Sequence, residues 1–370
     1  AMSYREKSFY RDNKVELISN KKAERLEVKK RRVVLSDRRK ISFDKLLIAI
    51  GGKPVIPEIK GRDLEGIFTF TRLSDIQKIQ KYIKANKIKK VMVIGGGLIG
   101  LKATEALIEL KIKVTIVELT DRILSATFDK KASNIVEKGL ENIGCKLIAD
   151  NTVIEIKDKD KKVKEAILKD KRKIPVDMVI MTIGVRPNIE LVKNTPIKTN
   201  RGISINSFMQ TNIKDIYAAG DCCDGKDSLL DINRPIAIWP VAVRQGKTAG
   251  FSMAGVRKEY QGSFAMNSVE LCGIATVSMG ESCPRGKGYQ ILEYLEHSGS
   301  IYKKIVLKDN KIVGVIFVGD IERAGIYAGL IRDKIDVTSF KAHLLKEDFG
   351  FISLPEEYRK HLVTGEVSVI

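Results

Sequence analysis

The sequence predicts an α/β chain of parallel sheets covered by helices, with a separate α+β domain at its C-terminal end. Three observations predict it. Apolar, β-rich runs alternate with helical patterns from about residue 89 to 184, and a spaced glycine triplet stands between the first such strand and its helix. From Tyr260 to Val318 the rhythm changes to alternating strands. At 370 residues the chain has room for two or three domains, since single cores stop growing near ~250–300 residues.

The elements follow in order. "KKAERLEVKKRRVVLSDRRK" (21–40) mixes basic and apolar residues at strand spacing, which predicts a hairpin with one solvated face. "KKVMVIGGG" (89–97) is a strand, with a helix from Leu98 to Leu110 and a second strand "KVTIVEL" (113–119) behind it. "DKKASNIVEKGLENIG" reads as a helix stopped by Gly144, and "CKLIAD" as a short strand. Charged segments from Val153 to Lys173 predict an antiparallel insert of two or three strands, and "VDMVIMTIG" (176–184) a buried strand. A helix spans about Ile238 to Ala254. "GYQILEYLE", "SIYKKIVLK" and "KIVGVIFVG" are strands of the last domain, with helical segments and a polar tail after them.

Composition narrows the function. Hydrophobic content of 44% with 30% charged residues is that of a globular protein. No apolar run reaches the ~18 residues that a membrane span needs. Five scattered cysteines make no disulfide framework, which points to a reducing cytoplasm. The net charge of +20 invites a nucleic-acid reading, but no zinc-finger spacing or aromatic-rich RNA motif accompanies it. The basic surface is instead expected to attract an acidic partner protein or a polyanionic cofactor.

"VIGGGLIG" supplies Gly95, Gly97 and Gly100 in G-x-G-x-x-G order between strand and helix. The first glycine permits a tight turn, the second lets a pyrophosphate approach the backbone, and the third lets helix and strand pack closely. The N–H groups that open the helix, at Leu98 and Ile99, then meet the phosphates. Glu118 ends the next strand, about 18 residues on, where an acid binds a ribose 2′-OH. That combination predicts dinucleotide binding, and Glu118 favours NADH over NADPH because a 2′-phosphate would meet its charge.

Four further motifs, in order from 43 to 255, resemble the FAD-dependent pyridine nucleotide–disulfide oxidoreductase superfamily, in its NADH:rubredoxin reductase, NADH oxidase and nitrite-reductase flavin-domain branch. "FDKLLIAIGGKP" (43–54) is similar to the strand that closes on the flavin; Ile50 replaces a usual threonine and leaves Ala49 and Gly51. "VDMVIMTIGVRPN" (176–188) is similar to the strand leaving the NADH domain, with Gly184 near the nicotinamide. "TNIKDIYAAGDCC" (211–223) resembles the second flavin motif, in which Gly220 precedes the ribityl-binding Asp221. "IWPVAVRQGKTAGFSMAG" (238–255) resembles the helix beneath the isoalloxazine, where Trp239 either shields the flavin ring or fills core.

The resemblance implies two Rossmann-like three-layer domains, one for FAD and one for NADH, and a C-terminal interface domain. The expected division is 1–72 and 190–257 for FAD, 73–189 for NADH and 258–370 for the interface. In the resembling enzymes hydride passes from nicotinamide to flavin, and reduced flavin passes electrons onward. The implied function is an NADH-dependent FAD oxidoreductase delivering electrons to an acidic redox protein or to an iron–sulfur or catalytic partner subunit, as a homodimer or within a complex. The alternatives are an NADH oxidase or CoA-disulfide reductase, whose redox cysteine would lie outside this sequence, and a non-catalytic nucleotide-binding subunit. No catalytic residue and no metal site are assigned.

Cys222 and Cys223 fall where the family does no redox work and are read as packing residues. Two departures remain. The chain opens on a segment that resembles the helix "SYREKSFY" and strand "VELISN" following the family's first βαβ unit, so the flavin's own glycine fingerprint is expected to be missing and FAD retention to suffer. After Gly100 the family's Gly-Leu-Glu becomes Gly-Leu-Lys, and the glutamate's place near the nicotinamide does not transfer to Lys102. Arg72 is read equally as a surface ion-pair partner or a flavin contact.

Overall fold

A computed structural model describes residues 5–356, 358 and 359; the end of the expected polar tail lies outside them. The described residues form two compact units. The first comprises residues up to Gly51 with Pro187–Gly225 and Asn233–Tyr260. The second comprises Gly52–Arg186, Lys226–Ile232 and the residues from Gln261 onward.

In the first unit the basic segment folds as a three-stranded antiparallel meander, Ala23–Glu27, Arg32–Leu35 and Lys40–Ser42. Leu26, Val33 and Leu35 turn inward, while the ammonium and guanidinium heads stay wet on long stems. Leu46–Ile48 pairs in parallel with Ile216–Ala218, and Ile203–Ser204 with the start of Cys223–Asp227. The helix Trp239–Met253 follows, with Ala249 buried in the same core as Ile48, Ile216, Cys222 and Cys223. The strand expected at "VELISN" does not form. After the helix Lys7–Asp12 the chain runs irregularly to Ala23, with Val15 and Leu17 about half exposed and the Val15 N–H donating to the Tyr10 carbonyl at 2.7 Å.

The second unit is built on a five-stranded parallel sheet. Its order is Ile67–Thr69, Met178–Met181, Lys90–Ile94, Lys113–Val117, Lys146–Ile148. Met178–Met181 is buried throughout, as a central parallel strand covered on both faces must be. The helices Leu98–Glu109 and Lys130–Asn142 are the crossovers. Asp129 caps the second of these by accepting the Ala132 N–H at 3.1 Å. The expected insert is a three-stranded antiparallel sheet, Val153–Lys159, Lys162–Leu168 and Lys173–Pro175.

The later part of this unit carries a five-stranded antiparallel sheet. Its order is Met266–Leu271, Ile274–Gly280, Lys311–Val318, Tyr302–Lys308, Gln290–Leu295, and the helix Ala324–Arg332 follows it in the chain. Leu271, Tyr302, Ile316 and Val318 share one apolar core with Leu101, Val136 and Leu140 of the crossover helices. A polar clasp reinforces that seam. The Tyr302 hydroxyl lies 2.7 Å from an Asp129 oxygen and 2.9 Å from one of Glu293, while Lys304 Nζ pairs with Asp129 at 2.9 Å. The α/β architecture with its added α+β domain is therefore the one the sequence predicts.

Candidate functional site

The glycine loop joins the strand Lys90–Ile94 to the helix Leu98–Glu109. Gly95 has φ +105°, and a Cβ there would fall 2.7 Å from the Thr182 carbonyl oxygen, so no other residue turns the chain at this point. A Cβ at Gly100 would fall 2.1 Å from the Gly95 carbonyl oxygen; this is the close helix-to-strand packing expected of the third glycine. Gly97 is different. Nothing lies within 4 Å of its absent Cβ, and no side chain caps the helix it begins. The opening N–H groups, at Leu98 and Ile99, are thus left for an anion, next to open space.

Glu118 follows the strand Lys113–Val117. Its Oε2 accepts the Gly96 N–H at 2.6 Å, and its Oε1 accepts the Thr120 N–H at 2.9 Å with the Thr120 hydroxyl at 2.8 Å. The carboxylate is fixed against the glycine loop and keeps lone pairs for a ribose hydroxyl. Gly184, exposed beyond the strand Met178–Met181, accepts the Val55 N–H at 2.9 Å. An open glycine approach, an uncapped helix start and a fixed acid are what a dinucleotide requires, so the residues fit that group.

In the first unit three motif segments converge. The Ala219 N–H bonds to the Ile48 carbonyl at 3.1 Å, and the Asn188 N–H to the Gly51 carbonyl at 2.9 Å. Ala49, Gly51, Gly220 and Asp221 are thereby brought to one end of the parallel strand pair. Gly220 has φ +80°, and its N–H donates to Gln245 Oε1 at 2.8 Å, which ties the loop to the helix Trp239–Met253. Asp221 is half-buried. Burial raises its carboxyl pKa, and its own backbone N–H opposes the rise. A desolvated carboxylate next to a positive-φ glycine turn is suited to polyol hydroxyls, so this loop fits a ribityl chain. Trp239 opens the helix and is 67% exposed.

The other sequence candidates separate cleanly. Lys102 Nζ lies 2.5 Å from Glu105 Oε2 and donates to the Glu270 carbonyl at 3.2 Å, so this side chain is spent on the antiparallel sheet. Glu105 also accepts the Cys272 N–H at 2.5 Å. Arg72 lines a cleft of about 520 Å³ in the second unit, together with Lys53, Arg62 and Arg186. Cys222 and Cys223 are buried; their thiols lie 3.3 Å from the Ala219 carbonyl and 3.2 Å from the Gly220 carbonyl. Burial raises the pKa of all five cysteines, Cys272 to about 11 and Cys145 to about 12. No metal-binding cluster occurs among the described residues.

Sequence reasoning missed three residues. Thr182 buttresses the glycine loop, and it was visible as the polar residue directly after the apolar run Met178–Met181. Gln245, nearly fully buried, holds Gly220. Asp224, also buried, accepts the Gly202 N–H at 2.9 Å and keeps its second oxygen without a protein partner. Neither of the last two carries a spacing signal.

A family model for pyridine nucleotide-disulphide oxidoreductases matches residues 3–246, and one for the rubredoxin NAD+ reductase C-terminal domain matches 266–335. The chain is 30% identical over 332 residues to the nitrite reductase [NAD(P)H] of Bacillus subtilis, covering 89% of this chain and 40% of that protein. It is 29% identical over 354 residues to the assimilatory nitrate reductase electron transfer subunit of the same organism, covering 94% and 44%. With the NADH oxidase of Methanocaldococcus jannaschii it shares 34% over 293 residues, covering 75% and 65%. The chain thus spans under two thirds of the length of these relatives. Among solved structures, putidaredoxin reductase in its covalent putidaredoxin complex superposes with a TM-score of 0.83 at 23% identity, covering 98% of this chain and 85% of that one. A NAD-dependent persulfide reductase from A. fulgidus gives 0.84 at 23%, covering 91% and 66%. With two nucleotide-type loops on the fold that these comparisons share, the chain belongs to the pyridine nucleotide-disulphide oxidoreductase family.

Proposed function

We propose that this chain is an NADH-dependent flavoprotein oxidoreductase that passes electrons from NADH through FAD to an acidic redox protein or partner subunit. The observation that carries the reading is the pair of loops, one ending in Glu118 and the other in Asp221, each closing a parallel strand beside a positive-φ glycine turn. Gly95, Gly97, Leu98, Ile99, Gly100, Glu118 and Gly184 would hold NADH; Ala49, Gly51, Gly220, Asp221 and Trp239 would hold FAD. When bound, flavin supplies the change from two-electron to one-electron chemistry.

The chain's own residues bind and orient. The start of the helix Leu98–Glu109 places positive dipole and free N–H groups at the pyrophosphate. Glu118 holds the adenosine ribose and repels a 2′-phosphate. The helix Trp239–Met253 has no side-chain cap, and its positive end would support electron density on a ring stacked against it. The division into FAD segments 1–72 and 190–257, an NADH segment 73–189 and an interface segment 258–370 is part of this proposal, with 52–72 packing in the NADH unit, where Ile67–Thr69 pairs with Met178–Met181, and with 258–370 pairing two copies or docking a partner subunit. The net charge of +20 supports an acidic acceptor through electrostatic steering. A thiol-reducing role gains nothing from the described cysteines, all of which are held as neutral thiols by burial. No helix among the described residues is long and apolar enough to cross a membrane. Five unpaired thiols support a cytoplasmic setting.

The test is anaerobic NADH titration of the FAD-loaded protein, followed by addition of an acidic ferredoxin- or rubredoxin-type acceptor at low and high salt. Bleaching of the flavin band, and reoxidation by the acceptor that slows at high salt, are expected. An FAD-loaded protein that NADH fails to bleach would overturn the reading.

A further inference from the structure

We propose that Thr182 is a positioning residue for the coenzyme, its hydroxyl fixing the peptide plane on which the glycine loop turns. The inference rests on the NADH reading above. Thr182 follows the strand Met178–Met181, which runs parallel to Lys90–Ile94, and its N–H extends that ladder to the Ile94 carbonyl at 2.8 Å. The side chain is buried. Its hydroxyl lies 2.9 Å from the Ile94 carbonyl oxygen and 3.0 Å from that of Gly95, within reach of both acceptors with its single proton.

The consequence follows from amide geometry. The Gly95 carbonyl and the Gly96 N–H belong to one planar trans peptide and point in opposite directions. Thr182 holds the carbonyl end, and the Glu118 carboxylate holds the N–H end at 2.6 Å. The plane is thus pinned from both sides. Gly100 is part of the same lock, since a Cβ there would lie 2.8 Å from the Thr182 hydroxyl as well as 2.1 Å from the Gly95 carbonyl oxygen. Releasing the carbonyl end lets the peptide tilt. Glu118 then loses the contact that aims it at the ribose, and the opening N–H groups lose their registry with the pyrophosphate. Thr182 touches no part of the coenzyme in this account; it acts through Gly95, Gly96 and Glu118.

The experiment is a fluorescence titration of the full chain with NADH and, separately, with ADP-ribose. The variants are Thr182→Val, Thr182→Ser, Glu118→Ala and the double variant Thr182→Val with Glu118→Ala. Loss of one hydrogen bond predicts that Val weakens both ligands by a similar factor, about 3- to 10-fold, while Ser binds like the unmutated protein. Because both residues act on one peptide, the double variant should lose less than the product of the single losses. Unchanged affinity in the Val variant, failure of Ser to restore it, or simple additivity would each overturn the inference while leaving the coenzyme reading intact. An unmutated protein that binds neither ligand overturns the coenzyme reading, and this inference with it. Should Val not fold, Thr182→Ala against Thr182→Ser gives the same comparison.

Discussion

Glu118 and Asp221 stand in comparable places, each just beyond a parallel strand and beside a glycine turn, yet the chain treats them in opposite ways. Glu118 is given the Gly96 N–H, the Thr120 N–H and the Thr120 hydroxyl. Asp221 is given its own backbone N–H, and burial pushes its carboxyl pKa upward. The first acid is part of the wiring of its own unit; the second is a group that the unliganded fold tolerates at a cost. A carboxylate wired into the fold and one left to burial therefore respond differently to mutation.

The largest expected effect is at Asp221. In the proposed flavin site, Asp221→Asn would remove charge-assisted hydrogen bonds to the ribityl hydroxyls, and FAD affinity should fall by about 10- to 100-fold, read by fluorescence quenching. Without flavin the sign reverses. A carboxyl whose folded pKa is raised favours the folded state at low pH, and that advantage is lost as pH rises through the folded value. The Asn variant should consequently melt higher than the unmutated chain at neutral pH, with the gap closing in acid. A lower melting temperature at neutral pH would remove the distinction drawn between the two acids.

Glu118→Ala comes next and should fail on both counts. NADH affinity is expected to drop about 10-fold and its preference over NADPH to narrow. Because the Gly96 N–H then loses its acceptor, stability should fall by about 1–2 kcal/mol even without coenzyme. Equal affinity of the unmutated protein for NADH and NADPH would contradict the role given to the charge.

Much of this was legible in the sequence because glycine spacing and strand-terminal acids are local. Gly95, Gly97, Gly100 and Glu118 lie within one βαβ unit, so the local course of the chain brings them together. The braces were not legible, since they come from remote elements. Thr182 reaches the loop from 87 residues away, Gln245 reaches Gly220 from 25, and Lys102 meets Glu270 across 168. Periodicity placed Trp239 on a helix but said nothing of its 67% exposure, which depends on what packs around that helix.

A smaller effect is expected at the seam of the second unit, where Asp129 shows what many donors do. It accepts Ala132 N–H, Tyr302 hydroxyl and Lys304 Nζ; despite burial, these bonds and the Lys304 charge hold its pKa below the ordinary carboxylate value. Lys131 and Tyr302 do the same for Glu293. With both folded values depressed, the clasp stabilises above the usual carboxylate range, and its contribution is lost as pH falls through the folded values. Tyr302→Phe should cost about 1–2 kcal/mol at neutral pH, and less in acid, measured by denaturant melts across pH 3–7. A cost independent of pH would leave the hydroxyl–carboxylate bonds without a stabilising role.

The smallest effect concerns Cys222 and Cys223, which adjoin Asp221 and would be the obvious chemistry in its place. Their thiols face carbonyl oxygens of Ile48, Ala219 and Gly220, and burial keeps them protonated, so neither offers a thiolate. As small apolar residues they fill core beside Ile48 and Ile216. Replacing both with Ala should therefore leave flavin reduction by NADH within about twofold while costing roughly 1–2 kcal/mol through the cavities opened. A variant that kept its fold and its flavin but lost turnover would move the chemistry from Asp221's neighbourhood onto the thiols. Retained turnover in a less stable protein leaves the cysteines to packing and Asp221 to the ligand.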